Sequence, residues 1–209
     1  MENMTVMGLM KVSIMIPVLF VCSIVMIAYM FERFIAYQKV GTLDPTLAER
    51  IKQYVRQGQI KEAISLCSKN QSFVAHALEV ALNAANFPRE EMESIFNLYR
   101  MRLQALLNKR LSLFGTLAFT GPLLGLLGTV LGVIRAFRDL ALSGSGGPTI
   151  VAAGIAEALI TTAGGIFVAV ISALLYNWFT AISRTKMQQF DQLTQELAIL
   201  VYTGSGRAK

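Results

Sequence analysis

Residues 121–178 read GPLLGLLGTVLGVIRAFRDLALSGSGGPTIVAAGIAEALITTAGGIFVAVISALLYNW, and this stretch decides the fold. It holds most of two apolar runs, residues 111–137 and 150–182, joined by a Gly- and Ser-rich loop at 139–149. Each run exceeds the roughly 20 apolar residues that a helix needs to cross about 30 Å of hydrocarbon. The loop allows only an antiparallel return, so the sequence predicts a transmembrane hairpin rather than two buried helices of a soluble protein.

The composition predicts an all-α membrane protein with a modest soluble part. Of the 209 residues, 54% are hydrophobic and 15% are charged, whereas roughly a quarter of the residues in soluble domains are charged. A third apolar run, residues 12–31, is also long enough to span once. It has no small-residue cleavage site behind it and is followed directly by Glu32 and Arg33, so we interpret it as an uncleaved transmembrane helix rather than a signal peptide.

The positions of Lys and Arg predict the orientation. Twelve of the 19 lie within residues 33–110 and four follow residue 182, which leaves Lys11, Arg135 and Arg138. Because positively charged segments stay in the cytoplasm, we expect the middle segment and the C-terminus there, and the N-terminus and the 139–149 loop outside. The net charge of +6 therefore follows the membrane topology, and no nucleic acid partner is expected.

These boundaries divide the chain into four predicted segments. Residues 1–36 hold the first transmembrane helix, 37–110 form a cytoplasmic helical domain, and 111–182 form the hairpin of helices 2 and 3. Residues 183–209 form a cytoplasmic helical extension and tail, in which helical spacing over 183–201 predicts that the third membrane helix continues.

Within the cytoplasmic domain, local signals predict four helices. Asp44-Pro45 is an N-cap followed by proline at the first helical position, and Gly58 ends that helix. Apolar residues at helical spacing then predict helices over 60–67 and 73–82. Pro88 opens the fourth helix, on which we expect the C-terminal extension to pack.

No Gly or Pro interrupts residues 89–113. The fourth helix is therefore expected to run straight into the second membrane helix as one rod over 88–137.

Small residues are concentrated in the hairpin, where they allow helices to approach closely. We expect them to pack the two hairpin helices together and also to line contacts between copies of the chain. The candidate packing positions are Gly121, Gly125, Gly128 and Gly132 on the first helix and Gly154, Gly164 and Gly165 on the second.

Glu157 is the only acid well inside an apolar run of the hairpin. An ionisable residue within the membrane is a functional hypothesis by default. It lies about eight residues, or roughly 12 Å, below the outer loop. The alternative is a structural hydrogen bond to Arg135 or Arg138 on the neighbouring helix.

Thr129 and the pair Thr161 and Thr162 fall at nearly the same depth, close to the bilayer centre, in an antiparallel hairpin. Thr161 shares a helix face with Glu157, whereas Thr162 is turned away from it by about 140°. Matched levels favour a shared polar track, and the alternative is that each hydroxyl bonds back to its own helix.

The sequence contains no constellation for catalysis or metal binding. It has no phosphate-binding lysine loop, no nucleophile elbow and no acid–base pair, and Cys22, Cys67 and His76 lack metal-ligand spacing. We therefore expect no enzyme activity, no cofactor and no metal.

The segments PLLGLLGTVLGVIRAF and GIAEALITTAGGIFVAVISALLYNWF closely resemble the MotA/TolQ/ExbB proton channel family. The resemblance rests on Gly128-Thr129-Val130, Glu157-Ala-Leu, Thr161-Thr162-Ala-Gly and Tyr176-Asn177. It covers the hairpin strongly and the regions after Gly58 and Pro88 more loosely. Three spans with the N-terminus outside are similar to the ExbB/TolQ branch.

The resemblance implies a homo-oligomer, a pentamer, around a dimer of an ExbD- or TolR-like one-span partner that carries an essential aspartate. It also implies pore-facing positions for Thr129 and Thr162, and a place for Glu157 at the outer mouth of the same pore. Arg135 and Arg138 are less typical of the family. The residues themselves agree on one point: the chain has no carboxylate near the bilayer centre and cannot relay protons alone.

We therefore expect a multi-pass subunit of a proton-driven motor in the bacterial inner membrane, with a TonB- or TolA-like protein as a further candidate partner. The alternatives are a structural scaffold and a transporter subunit without its own ion path. The driven system stays open among TonB-like import, Tol-like envelope maintenance and gliding.

Overall fold

The computed structural model describes residues 15–40, 45–70, 72–85, 88–143 and 147–205. Within these ranges the regular elements are all helices, and no strand occurs, which confirms the all-α class. Three helical stretches are long and apolar enough to cross a membrane, as predicted: Met15–Gln38, Arg89–Leu142 and Pro148–Thr203. The helices are α1 (Met15–Val40), α2 (Pro45–Arg56), α3 (Ile60–Ser68), α4 (Phe73–Asn83), α5 (Arg89–Asn108), α6 (Leu111–Ser143) and α7 (Gly147–Ser205).

The short helices follow the local signals in the sequence. Pro45 is the first residue of α2, while Asp44 lies outside the described residues. Gly58, with a φ of +74°, follows the end of α2 in the left-handed conformation that glycine adopts without steric cost. Ser72 caps α4 by accepting a hydrogen bond from the Ala75 N–H at 3.1 Å, and Pro88 precedes α5.

The loop between the hairpin helices is shorter than the one predicted over residues 139–149. Helix α6 continues to Ser143 and α7 begins at Gly147, so that most of the loop is helical. The reason is local: Leu and Ala in residues 140–142 are strong helix formers, and Pro148 sits in the first turn of α7, where its missing N–H costs little.

The predicted single rod over 88–137 is also wrong. Helix α5 ends at Asn108 and α6 starts at Leu111, with Arg110 between them at a φ of +62°. Side chains of α1 bind the last carbonyls of α5: the Arg33 guanidinium donates to the Leu106 carbonyl at 3.1 Å, and the Tyr37 hydroxyl donates to the Leu107 carbonyl at 2.8 Å. These bonds satisfy the terminal carbonyls that a helix end leaves without partners.

The Arg110 side chain also has a stabilising contact at this break. Its guanidinium carbon lies 5.2 Å from the centre of the Tyr29 ring. A cation over an aromatic face contributes about 0.5–1 kcal/mol at exposed sites, and this offsets part of the cost of roughly 1–2 kcal/mol for a left-handed residue that is not glycine.

The chain divides into two compact units. One comprises Met1–Phe31 and Arg110–Phe179, and the other comprises Glu32–Lys109 and Thr180–Lys209. The second unit has a core of fully buried side chains from α2–α5 and the end of α7, among them Ile51, Leu78, Leu82, Met92, Leu103, Phe190 and Leu197.

The C-terminal part of α7 packs on α5 within the second unit, as predicted. The Arg100 Nε atom lies 2.8 Å from the Asp191 Oδ1 atom, and Phe190 and Leu197 are buried beneath this pair. Lys52 of α2 bridges Glu49 and Glu196, and hydrogen bonds to these carboxylates raise the pKa of its ammonium.

We predict that Tyr37→Phe lowers the free energy of unfolding by about 1–2 kcal/mol, because a buried carbonyl at the end of α5 loses its donor. The corresponding drop in melting temperature is about 2–4 °C per kcal/mol for a chain of this size, measured by thermal unfolding in mild detergent. Tyr54→Phe is the control, since the Tyr54 hydroxyl makes no hydrogen bond to a described residue. Equal melting temperatures for the two variants would contradict the role of Tyr37.

Candidate functional site

The two hairpin helices, α6 and α7, pack through glycine at backbone contact distance. A Cβ atom built on Gly125 would lie 2.9 Å from the Thr162 Cα atom, and one built on Gly121 would lie 2.9 Å from the Gly165 carbonyl oxygen. Gly132 faces Ala158, and Gly154 faces Ala136 in the same way. This contact line fixes the antiparallel register and brings the backbones of α6 and α7 into direct contact.

The paired threonines of α7 both bind the backbone of α6. Thr161 is fully buried beside Gly128; its hydroxyl donates to the Ala158 carbonyl at 2.7 Å and lies 3.5 Å from the Gly125 carbonyl. The Thr162 hydroxyl donates to the same Gly125 carbonyl at 3.0 Å and is only partly buried. Thr161 is therefore an interface residue, whereas Thr162 lies at the edge of the interface.

Thr129 lies on the same edge of the hairpin as Thr162. Thr129 lies four residues after Gly125, and Thr162 lies four residues after Ala158. Each threonine is therefore rotated by about 40° around its helix axis from a residue of the contact line. When two helices are antiparallel, the same rotation around each helix axis, counted from the N-terminus to the C-terminus, places both residues on the same flank of the pair. The Thr129 hydroxyl donates to the Leu126 carbonyl of its own helix at 2.7 Å, and its side chain is partly exposed. The structure thus defines a threonine flank, formed by Thr129 and Thr162.

Glu157 lies on the other side of α7, and its side chain is exposed. It is separated from Thr162 by about 140° of helical rotation. Gly164 lies seven residues after Glu157 and therefore on the same face of α7. A Cβ atom built on Gly164 would lie 3.6 Å from the Leu19 side chain of α1. Ser172 further along also reaches α1, donating to the Met26 sulfur at 3.0 Å. Helix α1 therefore contacts the Glu157 side of α7.

Glu157 lines a cavity of about 270 Å³ between the outer ends of α6 and α7. Arg135 and Asp139 line the same cavity, and the other lining residues are Gly132, Ala136, Ile150, Ala153, Gly154 and Ala158. Within the described part of the chain, Glu157 forms no ion pair with Arg135 or Arg138. Arg135, Asp139 and Glu157 therefore line one small space at this end of the hairpin.

Asp139 is a residue of this site that sequence reasoning missed, because it was assigned to the loop. The available signal was its spacing: four residues after Arg135, it shares the face of Arg135 on any helix that continues past Phe137. The extension of α6 to Ser143 places it there.

Cys67 and His76, which lack metal-ligand spacing in the sequence, belong to the second unit. Cys67 is fully buried in the second unit, where burial raises the pKa of its thiol to about 12. His76 is mostly exposed, and its Nδ1 atom lies 3.5 Å from Glu79.

Comparison with known proteins identifies relatives of this chain. The sequence profile of the MotA/TolQ/ExbB proton channel family matches residues 65–192. The biopolymer transport protein ExbB of Aquifex aeolicus is 31% identical over 152 residues, which cover 72% of this chain and 96% of that protein. The Tol-Pal system protein TolQ of Pseudomonas aeruginosa is 34% identical over 118 residues, covering 55% of this chain and 51% of that protein.

Several other curated relatives are longer proteins, of which the chain spans about half the length or less. The solved structure of C. jejuni MotAB has a TM-score of 0.69 and 17% sequence identity, and it covers 93% of this chain and 77% of that chain. At this identity the likeness shows a shared fold.

We predict that Gly125→Ala destabilises the hairpin by about 1–3 kcal/mol, the usual range for overpacking, because the new methyl group would meet the backbone of Thr162. Gly115→Ala is the matched control on the same helix, since its nearest neighbour is the Tyr176 ring at 3.5 Å, an ordinary contact. The measurement is thermal unfolding and oligomer yield in mild detergent. Similar losses in both variants would contradict a special close approach at Gly125.

Proposed function

Because the chain belongs to the MotA/TolQ/ExbB proton channel family, we propose that it is an inner-membrane subunit of a motor that converts proton flow into mechanical work on the cell envelope. The observation that supports this most directly is the threonine flank. Two partly exposed hydroxyls, those of Thr129 and Thr162, lie on one flank of the hairpin.

The hydroxyls have the chemistry to handle a proton carried by another group. A threonine hydroxyl has one donor and two acceptor lone pairs. Thr129 and Thr162 each use the donor on a backbone carbonyl, so the lone pairs can accept a hydrogen bond from a protonated carboxyl. If the hydroxyl rotates, it can instead donate to the ionised carboxylate.

The carboxyl itself has to come from a partner. Within the described residues of the hairpin, acids occur only at Asp139 and Glu157, both towards the outer end. We infer that a one-span partner of the ExbD or TolR kind supplies an aspartate at the threonine level. Copies of this chain surround it as a homo-oligomer, a pentamer, with the threonine flank of each copy towards the partner. A TonB- or TolA-like protein is the candidate for receiving the movement.

The orientation completes the proposal. The hairpin turn and Glu157 lie towards the outside, and the second unit, with its many basic residues, lies in the cytoplasm. Glu157 and the cavity around it attract protons at the outer mouth, and the threonine flank serves the path near the bilayer centre.

Proton uptake by liposomes tests this function directly. The chain co-reconstituted with its one-span partner should acidify the vesicle lumen under an applied proton gradient, and vesicles with the chain alone should not. A scaffold or a transporter subunit without its own ion path predicts no difference between the two.

We predict that the double variant Thr129→Ala/Thr162→Ala assembles normally but loses at least about tenfold in partner-dependent proton flux. Each lost hydrogen bond costs only about 1 kcal/mol of stability. Thr120→Ala is the matched control, because the Thr120 hydroxyl also bonds to its own helix, at 2.9 Å. It lies nine residues before Thr129 and hence on the opposite face. Full proton flux in the double variant would show that the threonine flank does not serve the proton path.

For Glu157, the charge should matter more than the shape. We predict that Glu157→Gln, which keeps size and hydrogen-bonding capacity, lowers flux strongly, and that Glu157→Asp, which keeps the charge on a shorter arm, lowers it less. A structural role predicts the reverse order, since Gln could keep hydrogen bonds that a shortened Asp would miss. The assay compares both variants at matched expression, with a Glu157/Arg135 double variant to separate the loss of the carboxylate from an uncompensated arginine. Wild-type flux in the Gln variant would leave Glu157 with a packing role.

A further inference from the structure

Two helices of the second unit have exposed faces without charged side chains. Along each face, exposed residues recur at alternating steps of three and four, over residues 94–105 of α5 and 185–199 of α7. This spacing is typical of helices that pair along their length. The α5 face consists of Ser94, Asn97, Leu98, Met101, Gln104 and Ala105, and the α7 face consists of Thr185, Gln188, Gln192, Gln195 and Ile199.

The large apolar side chains on these two faces are open to solvent in the single chain. Met101 is 62% exposed, Ile199 55% and Leu98 44%. On α2, in contrast, the exposed side chains include Glu49 and Arg50, as is usual for a solvated helix face. The core of a protein interface is depleted of charged residues and enriched in Met. The α5 and α7 faces therefore have the composition of an interface.

The charged residues within the same two stretches lie on other sides of their helices. They are Arg100 and Arg102 on α5, and Lys186, Asp191 and Glu196 on α7. Arg100 and Asp191 pair with each other at 2.8 Å, and Glu196 pairs with Lys52 of α2. Lys186 lines a cavity together with Lys52, and the Arg102 guanidinium lies over the Tyr99 ring.

The two faces lie at the same level of the unit. The Arg100–Asp191 pair joins α5 and α7, which are antiparallel because Arg89, before Arg100, lines the same groove as Ile199, after Asp191. Met101 is one residue from Arg100 and Gln188 is three residues from Asp191, both in the direction of the membrane, so their levels differ by about 3 Å. Copies related by rotation about the membrane normal have equal residues at equal depth. The α5 face of one copy can therefore meet the α7 face of the next without a vertical shift.

We propose that the α5 face of one copy packs against the α7 face of the next copy, and that these contacts close a ring. The inference rests on the homo-oligomer of the proposed function, and it assigns the contact between the cytoplasmic parts of its copies. A contact between two different faces is heterologous, and it generates a ring when the rotation closes.

The chemistry of the two faces is complementary. Gln and Asn amides donate and accept hydrogen bonds without charge, so amides of the two faces can bond to each other around the apolar Leu98, Met101 and Ile199. No ion has to leave water, which would carry a high cost in desolvation. Each chain has one copy of both faces, so a second copy of this chain supplies the whole contact.

The experiment forms disulfides between full-length copies in membranes that also contain the one-span partner. Two chains with different tags are co-expressed, one with Leu98→Cys and the other with Gln195→Cys, and copper phenanthroline in air is the oxidant. Both chains carry Cys22→Ala, while the fully buried Cys67 is kept. The control pairs Gln195→Cys with Gln53→Cys, which is exposed on the charged surface of α2.

We expect a disulfide between the Leu98→Cys chain and the Gln195→Cys chain, and none in the control pair or in either single-cysteine chain expressed alone. A second measurement adds charges to both chains. Met101→Glu with Gln188→Glu should lower the yield of the disulfide by about tenfold, and Met101→Glu with Gln188→Lys should keep it within about twofold, because like charges repel and opposite charges attract.

Three results would overturn the inference. The first is an oligomer, identified by native mass spectrometry, in which the mixed pair forms no disulfide or in which both charge combinations give the same yield. The second is a disulfide between two Leu98→Cys chains, which indicates a two-fold contact between α5 faces. The third is cross-linking of the α5 face to the one-span partner by a bifunctional maleimide instead of to a second copy.

Proton flux separates these results from a failure of the proposed function. If the same complex conducts protons only with its one-span partner, the proposed function stands and only the assigned contact is wrong. A chain that stays monomeric in the membrane and shows no partner-dependent flux refutes the proposed function and this inference together.

Discussion

The close approach of α6 and α7 is the constraint on which the rest of the hairpin depends. Lipid offers no hydrophobic drive for two apolar helices to associate, so contact area at short range must hold them together. Glycine at positions 121, 125, 128 and 132 lets the two backbones meet, and larger residues at these positions would collide with the facing helix. Because the contact is made by backbone atoms, it fixes both the register and the rotation of each helix.

That rotation separates the polar groups of the membrane region into two sets. Thr129 and Thr162 lie on one flank, and Glu157 lies on the other, with Arg135 and Asp139 beside it. The close backbone contacts of α6 and α7 lie between the two sets. Under the proposed function, a path that uses both sets runs over surfaces that this chain shares with other chains.

The break between α5 and α6 involves contacts between residues that are far apart in the sequence. Two side chains of α1, Arg33 and Tyr37, bind the final carbonyls of α5, and the chain turns at Arg110 before α6 begins. Arg33 is almost completely buried, and its Nε atom has no hydrogen-bond partner among the described residues. Buried polar groups of this kind carry a high energetic cost when they lose a partner, so this cluster ties α1 and the end of α5 into one arrangement.

The sequence by itself determined the helical class, the three spans, the limits of α2, α3 and α4, and the continuation of α7 beyond residue 182, which was predicted as far as residue 201. These features follow from signals within a few residues: apolar period, run length, proline at a helix start and glycine after a helix end.

Only the tertiary structure decided the break at Arg110, the place of Asp139 in the outer cavity and the assignment of Thr161 to the interface. The break depends on Arg33 and Tyr37, more than 60 residues away in the chain, and no local pattern records that contact. Thr161 and Thr162 are neighbours of the same type, and their roles differ only because the facing Gly128 and Gly125 bury one hydroxyl and leave the other at the edge. Hydrogen bonds and close contacts between distant segments have no period in the sequence, and they settle which of several compatible arrangements the chain adopts.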